Sequence, residues 1–245
     1  MASEDIVENL IRELGDAHKT VQRRAIDELV AMAGSDNPVI VEKLRESIVS
    51  EDRRVRWAAA YALGQIGATA LSMEAAEVLC EAMADEDGDI RWAATNLMVQ
   101  LGRENPAEIG ARLLRLAAGG DHNARKMALY CIRDLQIAGS ELLAVLDRAA
   151  CDSDIHVRLA TLSVLSRIRD ASGEAVRIML ERMKSDSDAG VRRAAASALG
   201  NIQTASADAT AALATAAADN NDESLARAAR GALERLEKIR PENSR

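Results

Sequence analysis

The sequence repeats one apolar pattern every 33 to 35 residues along almost its whole length. Counted from an apolar position 0, each copy has a small residue at +4 and apolar residues at +8 and +11. At about 100° per residue these offsets lie on one face of an α-helix, so each copy predicts an amphipathic helix. Seven copies occur, with position 0 at Val21, Val55, Ile90, Ala124, Val157, Val191 and Leu225.

Another helical run precedes each copy of the pattern, as in PVIVEKLRESIV and AEIGARLLRLAA, and would form the first helix of the repeat. Asn37-Pro38 and Asn105-Pro106 are typical of an N-cap followed by proline at the first helical position. Each repeat is therefore predicted to be a helical hairpin. We expect an all-α fold, one α-α solenoid over residues 1–239, with second helices starting near residues 21, 55, 90, 124, 157, 191 and 225 and a tail at residues 240–245.

Two charged positions keep the same register through the repeats. Position −3 is aspartate in all copies except the first, where His18 stands, and position +1 is arginine in the five central copies. An aspartate there can cap the second helix, and recurring Asp and Arg can form a ladder of charge pairs between repeats. The predicted ladder consists of Asp52, Arg56, Asp87, Arg91, Asp121, Arg125, Asp154, Arg158, Asp188 and Arg192.

The stretches DRRVRWAAAYALGQIG and DAGVRRAAASALGNI resemble the HEAT-like repeat of the phycobilisome-lyase type, and the resemblance covers residues 3–239. It implies an α-α superhelix whose second helices line the concave surface. The tetratricopeptide and ankyrin signatures are absent. We interpret the glycines of LGQIG and LGNI as helix ends.

All four bulky aromatic residues occupy outward positions of second helices, opposite the predicted core. Trp57 and Trp92 are at +2, and Tyr61 and Tyr130 are at +6. Under the resemblance they share one concave patch, joined by Asn96 and Val99. The predicted basic rim consists of Arg23, Lys126, Arg133 and Arg193, with Arg227 beyond it and Asp27 as the acidic exception. The simpler alternative is that these rings only cover the adjacent helix.

Composition limits the function classes. The net charge of −8 opposes general binding to nucleic acid or anionic membrane. Three cysteines without a paired spacing predict no disulfide framework, and we find neither a signal-peptide pattern nor a membrane-length apolar run. We therefore expect a cytoplasmic protein with no membrane association.

No pattern in the sequence predicts catalysis. The three histidines lie in turns, and His18 is about three repeats from His122, so a shared metal site is not expected. The related deoxyhypusine hydroxylase holds iron with His-Glu pairs, and no such dipeptide occurs here. Cys151 with Asp154 and His156 is the nearest candidate cluster, and we interpret Cys151 as a buried last-turn residue.

These observations favour a non-enzymatic scaffold, without cofactor or metal, that binds a protein partner of unknown identity on its concave face through Trp57, Tyr61, Trp92, Asn96 and Tyr130. The alternative implied by the resemblance is a bilin lyase subunit or bilin chaperone. Its chromophore would stack on the rings while arginines held the propionates. Nucleic-acid binding is the third and least favoured hypothesis.

Overall fold

A computed structural model describes residues 2–34, 37–67, 70–168, 173–202, 206–219 and 221–239. This part of the chain contains fourteen α-helices and no strand. The predicted tail at residues 240–245 lies outside the described residues. The first helices of the pairs are α1 (Ala2–Glu13), α3 (Pro38–Ser47), α5 (Ala75–Ala82), α7 (Pro106–Gly119), α9 (Ser140–Ala149), α11 (Gly173–Ser185) and α13 (Ala207–Ala218). The second helices are α2 (Lys19–Ala33), α4 (Arg53–Ile66), α6 (Gly88–Glu104), α8 (His122–Asp134), α10 (Ile155–Leu165), α12 (Ala189–Leu199) and α14 (Glu223–Ile239).

The prediction of an all-α fold built from seven helical hairpins is confirmed. Every second helix begins two residues before its position 0. Each of these helices except the first is capped by the conserved-register aspartate at −3, whose carboxylate accepts a hydrogen bond from a backbone N–H two or three residues later. In the first repeat, His18 provides no side-chain cap.

The core follows the repeat most strictly at +4, where the residue is fully buried in all seven copies. Six of the seven residues at +8 are also buried. Position +11 is less regular, because several second helices end near it. Met32, one residue before the end of α2, is 37% exposed, whereas Ile202 is fully buried.

The chain divides into two compact units, Met1–Arg112 and Leu113–Arg245. Within each unit, neighbouring second helices contact one another more extensively than neighbouring first helices do. The layer with the closer helices is the inner layer of a curved array, so the second helices form the inner layer of each unit. We call the side of these helices that carries positions +2 and +6 the inner face. A single uninterrupted solenoid over residues 1–239 stays a prediction.

Two glycines at +9 allow this close packing. A Cβ on Gly200 would lie 2.6 Å from the backbone Cα of Ala232 in α14, and one on Gly64 would lie 2.2 Å from a methyl group of Leu97 in α6. Gly64 lies inside α4, and Gly200 has a φ of −73°, which any residue can adopt. The helix-end interpretation holds for Gly67, which follows the last residue of α4 with a φ of 151°. It is wrong for Gly64, and Gly200 follows the end of α12 without using a conformation special to glycine. Gly64 and Gly200 are glycine because a neighbouring helix occupies the space of a side chain.

Four of the five arginines at +1 connect their hairpin to the next, but mostly not through the aspartates at −3. Each of the five donates to turn carbonyls five or six residues earlier in its own repeat. Arg125 also donates to both carboxylate oxygens of Asp152, at 2.7 and 2.9 Å, and Arg158 to both of Asp186, at 3.0 Å.

Of the aspartates at −3, only Asp222, which was not among the predicted ladder residues, pairs with an arginine at +1. Arg192 donates to Asp222 at 2.9 Å, whereas Arg56 pairs with Glu81 at 2.7 Å. The ladder as predicted is therefore wrong in its pairing. The aspartates at −3 cap their own helices, Asp222 included, and the arginines mostly pair with carboxylates at other positions. Asp152 and Asp186 stand at −5, in the turn that faces the preceding repeat.

Asp186 is the most buried member of this system. Its side chain is 1% exposed and that of Arg158 is 11% exposed. Burial alone would raise the pKa of Asp186, but hydrogen bonds from the Asp188 N–H and from Arg158, together with the charges of Arg158 and Arg182, lower it below the ordinary 3.8.

Replacing Gly200 by alanine should destabilise the protein. The added methyl group must push α12 away from the backbone of α14, and we expect a loss of about 1–3 kcal/mol. Gly231→Ala is the matched control, because its Cβ would meet nothing nearer than Arg235 at 3.7 Å in the interior of α14, so it should be neutral or stabilising by up to about 1 kcal/mol. Thermal and urea unfolding followed by circular dichroism measures both. Equal effects of the two variants would contradict the close helix contact.

Asp186→Asn should lower the free energy of unfolding at pH 7 by about 2–4 kcal/mol, because Arg158 keeps its charge and loses its partner. The folded-state pKa of Asp186 lies below the unfolded value of 3.8, so its contribution is complete above about pH 5 and is lost progressively as the pH falls through the folded-state pKa.

The stability difference between wild type and Asp186→Asn should therefore shrink as urea unfolding is repeated at lower pH. Glu223→Gln is the control, since its pair with Arg227 is about four-fifths exposed and should contribute no more than about 0.5 kcal/mol. A difference that stays constant from pH 7 to pH 3 or below would contradict the ion pair.

Candidate functional site

Three of the four aromatic residues lie on the inner face of the unit Met1–Arg112. Trp57 and Tyr61 are one turn apart on α4, and Trp92 is on α6 at the register of Trp57. Trp92 is 51% exposed, whereas Trp57 and Tyr61 are half-buried. Asn96 follows Trp92 by one turn and is exposed. We call Trp57, Tyr61, Trp92 and Asn96 the aromatic patch.

Trp57 and Tyr61 support each other. Their ring centroids are 5.6 Å apart and their planes are tilted by 38°. The separation is within the range of favourable aromatic pairs, and the tilt is intermediate between parallel stacking and an edge-to-face arrangement. The pair restricts the rotamers of both side chains, so part of the patch is already ordered before any ligand arrives.

Trp57 also forms one wall of an open cleft of about 540 Å³ within the same unit. Its lining includes apolar groups, among them Ile90, and several charged side chains. The cations are engaged by groups of the protein: Arg53 pairs with Asp85 at 3.0 Å, and Lys19 pairs with Asp87 two repeats away. The Lys19 contact lowers the pKa of Asp87, and the additional hydrogen bond from the Asp89 N–H acts in the same direction.

A polar stripe continues the patch along α6. Asp89, Trp92 and Asn96 are spaced i, i+3 and i+7, so a carboxylate, an indole and an amide lie on one side of the helix. All three side chains are exposed. On α4 the corresponding positions are Arg54, Trp57 and Tyr61, and Arg54 donates to the carbonyl of Gly15 at 3.4 Å.

Tyr130 lies on α8, in the other unit. Its ring is half-buried beneath the guanidinium of Arg133, 5.0 Å from the ring centroid, and Arg133 also pairs with Asp134 at 2.7 Å. Of the predicted basic rim, Arg23 belongs to the first unit, and Lys126, Arg133 and Arg193 belong to the second. A single patch of four rings stays a prediction.

Two predictions of burial are wrong: Val99 is buried and Cys151 is exposed. Val99, expected on the open face, is 8% exposed, because +9 is the register at which neighbouring second helices approach each other. Cys151, expected in a buried last turn, is exposed, since α9 ends at Ala149 and leaves Cys151 in the following turn.

The titratable turn residues form local pairs. His18 lies 2.9 Å from Asp16, and His122 lies 3.1 Å from Asp121. Among the residues that the structure describes, no group of three or more histidine, cysteine or acidic side chains could hold a metal ion. Within the same residues, no helix is both long and apolar enough to span a bilayer.

Sequence reasoning missed the carboxylates at −5 that receive the arginines, and it missed Asp89. A signal for the former was present, because position −5 is Asp16, Ser50, Asp85, Asp152 and Asp186 in five of the repeats. Each of these side chains also accepts a hydrogen bond from the backbone N–H two residues later, which shapes the turn. Asp89 gave no periodic signal.

Two models of repeat families match the chain. A model of HEAT repeats matches residues 7–99, which include the aromatic patch, and a model of the PBS lyase HEAT-like repeat matches residues 191–219. No protein with a curated description matches the chain in sequence.

Solved structures share the fold at low sequence identity. The archaeal HEAT-like repeats protein from Thermococcus onnurineus NA1 is 13% identical with a TM-score of 0.57, covering 95% of this chain and 97% of that one. YibA of Escherichia coli is 16% identical with a TM-score of 0.56, covering 94% and 92%. An engineered protein is 19% identical with a TM-score of 0.53, covering 94% and 68%.

At these identities the structural neighbours show the fold alone. The repeat register, the fourteen helices and the two model matches nevertheless agree with one another. Residues 7–99 and 191–219 match models of HEAT-like repeats, and the chain has the fold of HEAT-like repeat proteins.

Proposed function

We propose that this protein is a non-enzymatic scaffold that binds a protein partner on the inner face of residues 1–112. The exposure of Trp92, at 51%, is the observation that carries the proposal. The repeat architecture does not require an indole there, because the same position holds Arg23, Lys126, Leu159, Arg193 or Arg227 in other repeats. The core positions of the same helix are held by other residues, Ala94 and Met98, which are fully buried.

The aromatic patch has the properties of a binding hot spot. Covering a large aromatic side chain removes on the order of 150–250 Å² of surface from water, and tryptophan and tyrosine dominate the energetics of protein interfaces. Trp57 is held by Tyr61, so little side-chain entropy is lost there on binding. Trp57 and Trp92 lie at the same register of neighbouring helices, so one ligand can contact both.

The proposal is non-enzymatic because the inner face of residues 1–112 offers ring faces, an amide and ion-paired charges. In the described part of that face, no cysteine or serine lies beside a histidine in a pairing that would activate it. A surface of this kind recognises and positions a partner, and it does not by itself move protons or electrons.

The bilin hypothesis has less support. The segment that matches the lyase-type repeat, residues 191–219, contains none of the four aromatic residues on which a flat chromophore would stack. Near Trp57, Arg53 is already paired with Asp85, so it is a poor candidate for holding a propionate. Titration with phycocyanobilin and absorption spectroscopy tests the hypothesis, and a saturable spectral shift would favour it over a protein partner.

Trp57→Ala and Trp92→Ala should each weaken partner capture at least about tenfold, because each removes a ring that would be covered in the complex. The assay is affinity capture from an extract of the native source, quantified by mass spectrometry. Val39→Ala is the matched control, because Val39 is an exposed apolar residue, at 57%, on the first helix α3. Unchanged capture by folded tryptophan variants would refute the proposed docking face.

Tyr130→Ala tests whether Tyr130 belongs to the docking face together with Trp57, Tyr61 and Trp92. Loss of capture comparable with that of the tryptophan variants would extend the docking face to the second unit. Normal capture would confine it to residues 1–112.

A further inference from the structure

We propose that the partner docks through a basic segment, with a lysine or arginine side chain lying against Trp92 between Asp89 and Asn96. This inference rests on the proposed function, since it identifies the chemistry of the segment that the aromatic patch would bind.

The stripe on α6 contains the groups that such a side chain needs. Asp89 is one turn before Trp92 and Asn96 is one turn after it, about 5 Å along the helix in either direction. The indole face attracts a cation and packs against the methylene stem, and the Asp89 carboxylate neutralises the charge. The Asn96 amide can both donate to and accept from the backbone of the segment.

The local charge is acidic even after the internal ion pairs are counted. The region from Glu81 to Asp89 carries five carboxylates. Three of them are paired with cations of the protein, in the pairs Arg56–Glu81, Arg53–Asp85 and Lys19–Asp87. Glu86 and Asp89 are exposed, and neither takes part in an ion pair with any residue that the structure describes. Lys19, which pairs with Asp87, also interacts electrostatically with Asp89, so the repeat that carries Trp92 keeps an excess of negative charge after its ion pairs are counted.

The net charge of residues 1–112 also favours a basic ligand. Residues 1–112 contain 12 lysines and arginines against 21 aspartates and glutamates, a net charge of −9, whereas residues 113–245 contain 19 against 18, a net charge of +1. The excess of negative charge is therefore located in the unit that holds Trp57, Tyr61 and Trp92. A basic ligand is attracted to this unit over a longer range, and an acidic peptide or a nucleic acid is repelled.

The two tryptophans of the chain, Trp57 and Trp92, both lie in the patch, so intrinsic fluorescence reports binding without a label. The probes are two blocked octapeptides, (Lys-Ser)4 and (Glu-Ser)4, titrated at 50 mM NaCl. In the Trp57→Phe variant the emission comes from Trp92 alone. We expect a saturable change with the lysine peptide and none with the glutamate peptide.

Asp89→Asn should raise the Kd of the lysine peptide about two- to fivefold, the range of a partly exposed charge contact. Asp208→Asn is the matched control: it makes the same charge change at an exposed position of α13 in the other unit, and it should leave the Kd within about 1.5-fold. Raising NaCl to 300 mM should weaken the binding of the lysine peptide severalfold.

Three results would overturn the inference, and they differ in what they say about the proposed function. Binding of the glutamate peptide at Trp92 would support the docking face but would show that its ligand is acidic and not basic. If neither peptide bound but capture of the native partner still depended on Trp92, the proposed docking face would be supported and the proposed basic segment would be refuted. Binding of neither peptide, with capture independent of both tryptophans, would refute both proposals.

Discussion

The close approach of successive second helices is the constraint on which the rest of the structure depends. It requires a small, fully buried residue at +4 in every repeat and space at +9, which Gly64 and Gly200 provide by lacking a side chain. Because these helices pack so closely, the inner layer needs alanine and leucine and has little room for large rings. None of the four aromatic residues occupies a core position (+4, +8 or +11) of these helices.

Polar contacts then set how one hairpin follows the next. The aspartate at −3 caps its own helix, and the arginine at +1 binds turn carbonyls of its own repeat. Its remaining donors reach a carboxylate of the following repeat, as Arg158 reaches Asp186. The guanidinium therefore both satisfies backbone groups at the hairpin turn and orients the neighbour, which a nondirectional apolar core could not do alone.

The same packing explains where function can reside. No residue at +2 or +6 is buried, so these positions can hold residues as different as Arg23, Trp57 and Trp92 while the core stays the same. Folding therefore does not fix the residue type at these positions, and a ligand of the inner face can determine it. Trp92 with its neighbours Asp89 and Asn96 is the part of that face whose chemistry is least explained by folding, and this is why both proposals begin from it.

The sequence alone determined the number of repeats, the helical hairpin, the buried register and the outward position of Trp57, Tyr61 and Trp92, because all of these follow from helical periodicity within one repeat. Only the tertiary structure decided which carboxylate receives Arg158, why Gly200 is glycine, and that Val99 is buried. It also placed Tyr130 in a different compact unit from the tryptophans. These features depend on contacts between repeats, and the distances between repeats are set by side-chain packing that a periodic pattern along one chain does not contain.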